Sequence, residues 1–269
     1  MPTAVFDTHC HLTYGDLGEQ ADAAWSRARA AGVCGAVLIG IDAASSREVT
    51  EWVADTDDLW CTVGIHPNGT AKAKPDDLGV IRELAARPRV VALGETGLDT
   101  YWDDAPLDIQ VASLIAHADL ALELDLPLVL HLRDAFPQAE EVLQPYARRG
   151  LRAVVHCFTG GPEHLQPFLD WGFMISFSGI LTYSGAKALR EAAAVVPLDQ
   201  CLVETDAPWL TPAPHKTSDL NEPAFILLTA KKLAKVKKIP FDELAAITTA
   251  NARRFFDIDK AKGRPAEED

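Results

Sequence analysis

The sequence predicts an α/β fold and, within that class, a (β/α)8 TIM barrel with its functional groups at the C-terminal ends of the strands. Three observations carry this. Eight short apolar, β-branched runs recur along the chain, each is followed by a helix-length segment, and six of the runs end in histidine or a carboxylate. The runs are continuous rather than alternating in hydrophobicity, as expected of strands covered on both faces by their crossovers. Eight such units in 269 residues fit a barrel better than a doubly wound sheet, with an open α/β sheet as the runner-up. Residues 1–259 read as a single barrel domain and residues 260–269 as a polar tail.

The first run, residues 4–9, leads through Asp7-Thr8-His9-Cys10-His11 to a helix over 22–31. The second, 35–40, precedes a helix over 45–54, and the third, 59–65, ends in Gly64-Ile65-His66-Pro67 before a helix over 76–86. The fourth, 90–94, runs into Gly94-Glu95-Thr96-Gly97-Leu98-Asp99 and is followed by a helix over 107–124. The fifth, 127–132, closes with His131-Leu132-Arg133-Asp134 before a helix over 135–149. The sixth, 152–157, closes with His156-Cys157-Phe158-Thr159-Gly160 and precedes a helix over 164–171. The seventh, 173–177, is followed by a helix over 185–195; the eighth, 201–205, meets Glu204-Thr205-Asp206-Ala207-Pro208 and two helices over 222–236 and 241–256.

A strand period of two puts Asp7, His9 and His11 on one side of the first strand and Thr8 and Cys10 on the other. Two imidazoles held this way can grip one metal ion, whereas Cys10 faces packing rather than chemistry. A single His-x-His is weak evidence. As isolated strand caps any one of these polar ends is unremarkable, but six at corresponding strand ends are better explained by one shared site.

Composition narrows the function. The formal net charge of −14 argues against a protein that coats nucleic acid through a broad basic surface, though not against an enzyme that meets phosphate through bound metal. Residues 215–264 hold 11 Lys and Arg against 6 Asp and Glu, which reads as a solvated helix face. The five cysteines are odd in number and form no Cys-x-x-Cys pair, favouring free thiols and a cytoplasmic setting. No basic leader or membrane-length apolar run is present. No serine sits in a nucleophile-elbow context, and no phosphate-cradling glycine loop is found.

Taken together, the segments around His9, His11, His66, Glu95, His131, His156 and Asp206 resemble the TatD family of metal-dependent hydrolases, within the wider amidohydrolase-like barrels. The resemblance runs nearly end to end, from Phe6-Asp7-Thr8-His9-Cys10-His11-Leu12 to Thr249-Ala250-Asn251-Ala252-Arg253-Arg254-Phe255-Phe256. It implies two divalent metal ions per chain, one held by His9, His11 and Glu95 and the other by Glu95, His131 and His156. Glu95 then bridges them, and Asp206 ligates or sits beside the activated water. Glu95 and Asp206 are the implied catalytic residues, with coordination lowering the pKa of water toward about 7. Imidazole donors suit transition metals and a nuclease resemblance suits Mg or Mn, so Mg, Mn, Zn and Ni all remain open. Asp7 and Glu204 are expected to orient histidines. His66 is expected to touch substrate. Tyr101, Trp102, Tyr183 and Trp209 lie near strand ends, where each either stacks on a base or packs within its loop, and of these Tyr101 and Trp102 are taken as substrate contacts.

One stretch departs from the family pattern. An Arg-Gly pair usually precedes Asn-Glu-Pro shortly, whereas here the chain reads Pro214-His215-Lys216-Thr217-Ser218-Asp219-Leu220-Asn221-Glu222-Pro223. Lys216 takes the arginine's place, as a point charge instead of a planar fork, and the loop is longer. This bears on substrate contact rather than on the metal chemistry.

The resemblance implies a deoxyribonuclease, a 3′–5′ exonuclease on single-stranded DNA with RNA as a further substrate, and no membrane or obligate protein partner. The alternative is an amide or ester hydrolase, such as a lactonase or D-aminoacyl-tRNA deacylase, on the same metal site. A metal-binding protein without activity is the remaining reading, disfavoured by the complete donor set.

Overall fold

The computed structural model describes residues 4–215 and 219–261. Its strands are β1 (Val5–Cys10), β2 (Val33–Ile39), β3 (Leu59–Val63), β4 (Val90–Asp99), β5 (Leu128–Arg133), β6 (Ala153–Val155), β7 (Met174–Phe177) and β8 (Cys201–Val203). They form one sheet in sequence order, alternating with helices. This is the (β/α)8 barrel that the sequence predicts.

The elements fall into two compact units. The first comprises the described residues of Met1–Leu38, Cys157–Asp170 and Met174–Arg254. Within it β1 pairs parallel with β2, and β7 with β8. Beyond β8 the backbone joins the end of β1: Asp206 N–H donates to the His9 carbonyl at 2.9 Å, and His11 N–H to the Ala207 carbonyl at 2.7 Å. The helix Ala21–Ala31 stops at Gly32, whose φ of 105° lets its N–H reach the Ala28 and Arg29 carbonyls. Phe6, Phe158, Phe168 and Phe177 are fully buried, each contributing roughly 1.5–3 kcal/mol relative to exposure.

The second unit comprises the described residues of Ile39–His156, Trp171–Phe173 and Phe255–Asp269. Here β3, β4, β5 and β6 pair in parallel, each with the next. The helix Ala43–Val53 begins in a capping box: Ser45 N–H donates to the Asp42 carboxylate at 2.7 Å, and the Asp42 N–H to Ser45 Oγ at 3.1 Å. Trp60, Leu59 and Ile81 are fully buried.

The largest departure from the sequence reading lies in β4, which does not stop at residue 94 but continues to Asp99. Gly94 and Gly97 resemble strand terminators, yet they are what lets the strand go on. Their φ values are +124° and +147°, and a Cβ on Gly97 would lie 2.0 Å from the His131 carbonyl. The pairing with β5 shifts register between Leu93 and Thr96, then resumes as Gly97↔His131 and Asp99↔Arg133. A bulge at glycine thus carries the chain past Glu95 without ending the ladder. Smaller differences follow from proline: the helix expected from 222 starts as a 3₁₀ turn, Pro223–Phe225, before Ile226–Lys237. The helix expected over 164–171 is likewise a 3₁₀ turn, Pro162–His164, and a short helix, Gln166–Asp170.

Candidate metal centre

Seven ionisable side chains within strands or just beyond their C-terminal ends are at most 5% exposed: Asp7, His9, His11, Glu95, Asp99, His156 and Glu204. Burying such groups is costly unless each meets a partner or a cation. Of these, His9 and His11 join Asp206 in one candidate donor group, and Glu95 joins His66 and His131 in another.

In the first unit β1 delivers His9 and His11 on the same side, as the two-residue period requires. Their Nε2 atoms stand 3.1 Å apart. Asp206, in the left-handed conformation at φ 55°, places Oδ1 3.5 Å from each of them. A cation held by all three would satisfy the two facing ring nitrogens and the carboxylate oxygen together, and these atoms lie within 4.8 Å of one another.

Asp7 lies beneath this group but does not touch an imidazole. Its Oδ1 accepts from the backbone N–H of Thr205 at 3.0 Å and of His9 at 3.3 Å, and its Oδ2 accepts from the Thr205 hydroxyl at 2.5 Å. It therefore fixes the backbone that carries His9, rather than the ring expected from sequence. Burial pushes its carboxyl up to about 8, against the three hydrogen bonds that pull it down. Glu204 is buried beside it, with its N–H donating to the Phe177 carbonyl at 3.1 Å, and its charge adds to the upward push on Asp7.

In the second unit a single oxygen of Glu95 gathers three imidazoles. Glu95 Oε1 is 2.7 Å from His156 Nε2, 2.8 Å from His131 Nδ1 and 3.5 Å from His66 Nε2. His131 Nδ1 and His156 Nε2 are 3.4 Å apart. The other nitrogen of His131, Nε2, faces Asp99 Oδ2 at 3.1 Å. Burial alone would raise the Asp99 carboxyl, but its hydrogen bond with His131 and those from the Trp102 and Tyr101 N–H groups hold it at about 2. An ionised Asp99 only accepts, so the Nε2 proton of His131 points to it and Nδ1 is left for Glu95. Burial lowers the His131 pKa, but Asp99 and Glu95 outweigh it and raise it. A proton on Nδ1 would balance Glu95, as would a divalent cation held there in its place.

His66 is built differently. Its Nδ1 accepts from the Asn68 N–H at 3.1 Å, so the neutral ring carries its proton on Nε2. That nitrogen is then a donor aimed at the group, 3.3 Å from His131 Nδ1, which suits a hydrogen bond to a substrate oxygen.

Tyr101 and Trp102 follow β4 and are 55% and 51% exposed, but Tyr101 does not offer two free faces. The Arg133 guanidinium lies 3.9 Å from its ring centroid. Trp209, in the first unit, meets the His11 ring edge-on at 5.0 Å. Tyr183 instead donates its hydroxyl to the Thr211 carbonyl, a packing role. Lys216 lies outside the described residues. Cys10 is buried with Sγ toward the Val37 carbonyl. Sequence reasoning assigned no role to Asp99, Asn68 or Arg133. The signal for Asp99 was present, since residues 95, 97 and 99 of one strand share a side.

These donors fit divalent metal ions: imidazole nitrogens and carboxylate oxygens, converging at 2.7–3.5 Å on one another. The family described as TatD related DNase matches residues 6–257. The chain is 35% identical over 254 residues to the uncharacterized metal-dependent hydrolase YabD of Bacillus subtilis, covering 94% of this chain and 99% of that one. It is also 35% identical over 259 residues to the 3′-5′ ssDNA/RNA exonuclease TatD of Erwinia tasmaniensis, covering 94% and 100%. The crystal structure of YJJV, a TatD homologue of Escherichia coli, superposes with a TM-score of 0.90 at 28% identity, covering 96% and 99%.

Proposed function

The chain belongs to the TatD-related DNase family of metal-dependent hydrolases, and from that premise we propose that it is a phosphodiesterase trimming single-stranded nucleic acid from the 3′ end. We assign one divalent ion to His9, His11 and Asp206 and a second to Glu95, His131 and His156. The shared role that the resemblance implies for Glu95 is part of the same proposal. Bound there, the ions supply positive charge to phosphate oxygens and make water a better nucleophile near neutral pH.

The observation that carries the reading is His131 held between two carboxylates, Glu95 at 2.8 Å and Asp99 at 3.1 Å. Carboxylate–imidazole pairs of this kind fix which ring nitrogen faces a metal and raise its basicity. Asp206, 3.5 Å from both His9 and His11, is placed to accept a proton from the attacking water. His66 Nε2–H donates to a phosphate oxygen. Trp102 and Trp209 offer exposed rings to bases. Residues 1–259 act in this reading as one catalytic domain, with 260–269 as a polar tail of which 262–269 lie outside the described residues. Among the described residues no helix is long and apolar enough to cross a membrane. The free cysteines fit a cytoplasmic setting, in which nucleic acid is the partner.

A substrate panel tests the proposal. Purified protein is supplied in turn with Mg, Mn, Zn and Ni, then offered a single-stranded oligonucleotide, a lactone and a D-aminoacyl ester, with a chelator control. Chelator-sensitive shortening of the oligonucleotide is the expected result. Turnover of the lactone or the aminoacyl ester with no cutting of nucleic acid would replace phosphodiester by carbonyl chemistry.

A further inference from the structure

Arg133 stands apart from the other half-buried arginines of its unit. Arg89 and Arg152 each reach a carboxylate, that of Asp57 at 3.8 Å and that of Asp257 at 3.4 Å. Arg133 reaches none: among the described residues no carboxylate lies within ion-pair distance of its guanidinium, and no carbonyl accepts its side-chain N–H groups. The chain carries 39 acidic residues against 25 basic ones, so an unpaired, half-buried guanidinium is unexpected.

Its contacts are instead with rings. The guanidinium carbon lies 3.9 Å from the Tyr101 centroid and 5.6 Å from that of Trp102, and the two rings meet edge to face at 4.8 Å. At that distance the guanidinium covers one face of Tyr101, while no carboxylate or carbonyl among the described residues takes its N–H donors. The backbone fixes this arrangement. Thr100 N–H donates to the Arg133 carbonyl at 3.0 Å. Tyr101 and Trp102 N–H both donate to Asp99 Oδ1, at 2.9 and 3.0 Å. Asp99 thus orients His131 with one oxygen and seats the two rings with the other. Arg133 also follows His131 by two residues on β5, on the same side of the strand and about 6.6 Å along it.

We propose that Arg133 is a phosphate-binding residue for the substrate strand, contacting the phosphodiester neighbouring the one at the metal donors, with Tyr101 as its backing. A planar fork with open N–H edges matches two phosphate oxygens. This rests on the phosphodiesterase reading, because it needs a strand with more than one phosphate. Trp102 remains available to a base, whereas Tyr101 serves the arginine.

The test reads binding without turnover, using metal-loaded protein carrying Asp206→Asn and fluorescein-labelled hexathymidylate followed by anisotropy at several salt concentrations. Adding Arg133→Gln is expected to weaken binding about tenfold and to reduce the log–log salt slope by about 0.7, the value of one single-strand phosphate contact. Arg133→Lys is expected to restore the slope but not the full affinity, since an ammonium supplies charge without the fork. With Asp206 restored, Arg133→Gln is expected to raise KM for the oligonucleotide while kcat stays within about twofold. Unchanged affinity and slope in Arg133→Gln would overturn the proposal, as would failure of the parent protein to bind. If the parent binds the strand but wild-type protein never cuts it, the phosphodiesterase reading falls while the phosphate contact stands.

Discussion

Asp99 Oδ2 lies 3.1 Å from His131 Nε2, and the same carboxylate takes the backbone N–H groups of Tyr101 and Trp102. One side chain therefore decides which nitrogen of His131 faces Glu95. An amide in its place would keep most of the shape but lose the charge. Asp99→Asn is expected to weaken metal binding roughly 10–100-fold, measured by chelator competition on protein whose circular dichroism matches wild type. Unchanged metal affinity would show that Asp99 serves the loop alone.

Glu95 gathers His131, His156 and His66 around one oxygen, so its loss should empty more than a single bond's worth of coordination. The wild-type protein is expected to hold about two ions per chain, the two-metal arrangement. Glu95→Ala is expected to hold fewer and to lose nearly all turnover. Elemental analysis after gel filtration reads the count directly, and full metal content in the variant would remove Glu95 from the donor set.

Asp206 sits at equal distances from His9 and His11, where it is assigned to proton transfer as well as to coordination. Asp206→Asn retains a carbonyl oxygen as a weaker donor but cannot take a proton. Its kcat is expected to fall by at least about 10²-fold, the low end for a lost general base, with KM little changed. Steady-state kinetics at saturating metal make the comparison. A normal kcat would leave Asp206 outside the chemistry.

His117 offers a pH prediction away from the metal donors. It is fully buried, with Nδ1 donating to the Ser113 carbonyl at 2.8 Å and Nε2 accepting from the Ile65 N–H at 3.2 Å. The bond from Ile65 requires the neutral ring, whereas the Ser113 bond suits the charged ring as well; burial outweighs the Ser113 bond and lowers the pKa below the ordinary 6.5. The unfolded chain therefore takes up this proton first on acidification. The stabilising contribution is complete above about pH 6.5 and is lost as the pH falls below it through the lowered value. Chemical denaturation between pH 7.5 and 5 is expected to show a steeper loss in wild type than in His117→Gln. Parallel profiles would mean that His117 does not titrate in this range.

Much of this was legible in the sequence because barrel strands advertise their ends. His9, His11, Glu95, His131, His156 and Asp206 each close an apolar run, and a period of two already places His9 and His11 together. What escaped was the geometry that glycine and backbone polarity add. The fourth apolar run closes at Gly94, yet Gly94 and Gly97 permit the bulge that extends β4 to Asp99, so the partner of His131 does not show in the run itself. The proton position on His66 depends on the Asn68 N–H, which no residue pattern encodes. The stacking of Arg133 on Tyr101 likewise depends on how two strand ends are paired.

The final prediction concerns strandedness. A duplex keeps its bases stacked on one another and presents a dense, regular row of phosphates, which rewards an extended basic surface. A chain of net charge −14 is poorly furnished for that. A single strand asks for less: one phosphodiester at the metal donors, and rings on which unpaired bases can stack for about 1–3 kcal/mol each. Such rings are present, with Trp102 51% exposed and Trp209 44% exposed beside His11. Divalent-metal-dependent trimming of single-stranded DNA is therefore expected, with intact duplex a poor substrate, and the 3′ end is the expected entry because the family resemblance implies it. End-labelled oligonucleotides, single-stranded and annealed, resolved by length over time, decide it. A ladder that shortens one nucleotide at a time on the single strand, and stalls when the label or a blocking group occupies the 3′ end, supports the claim. Equal cutting of a closed circular duplex, which has no end to enter from, would sink it.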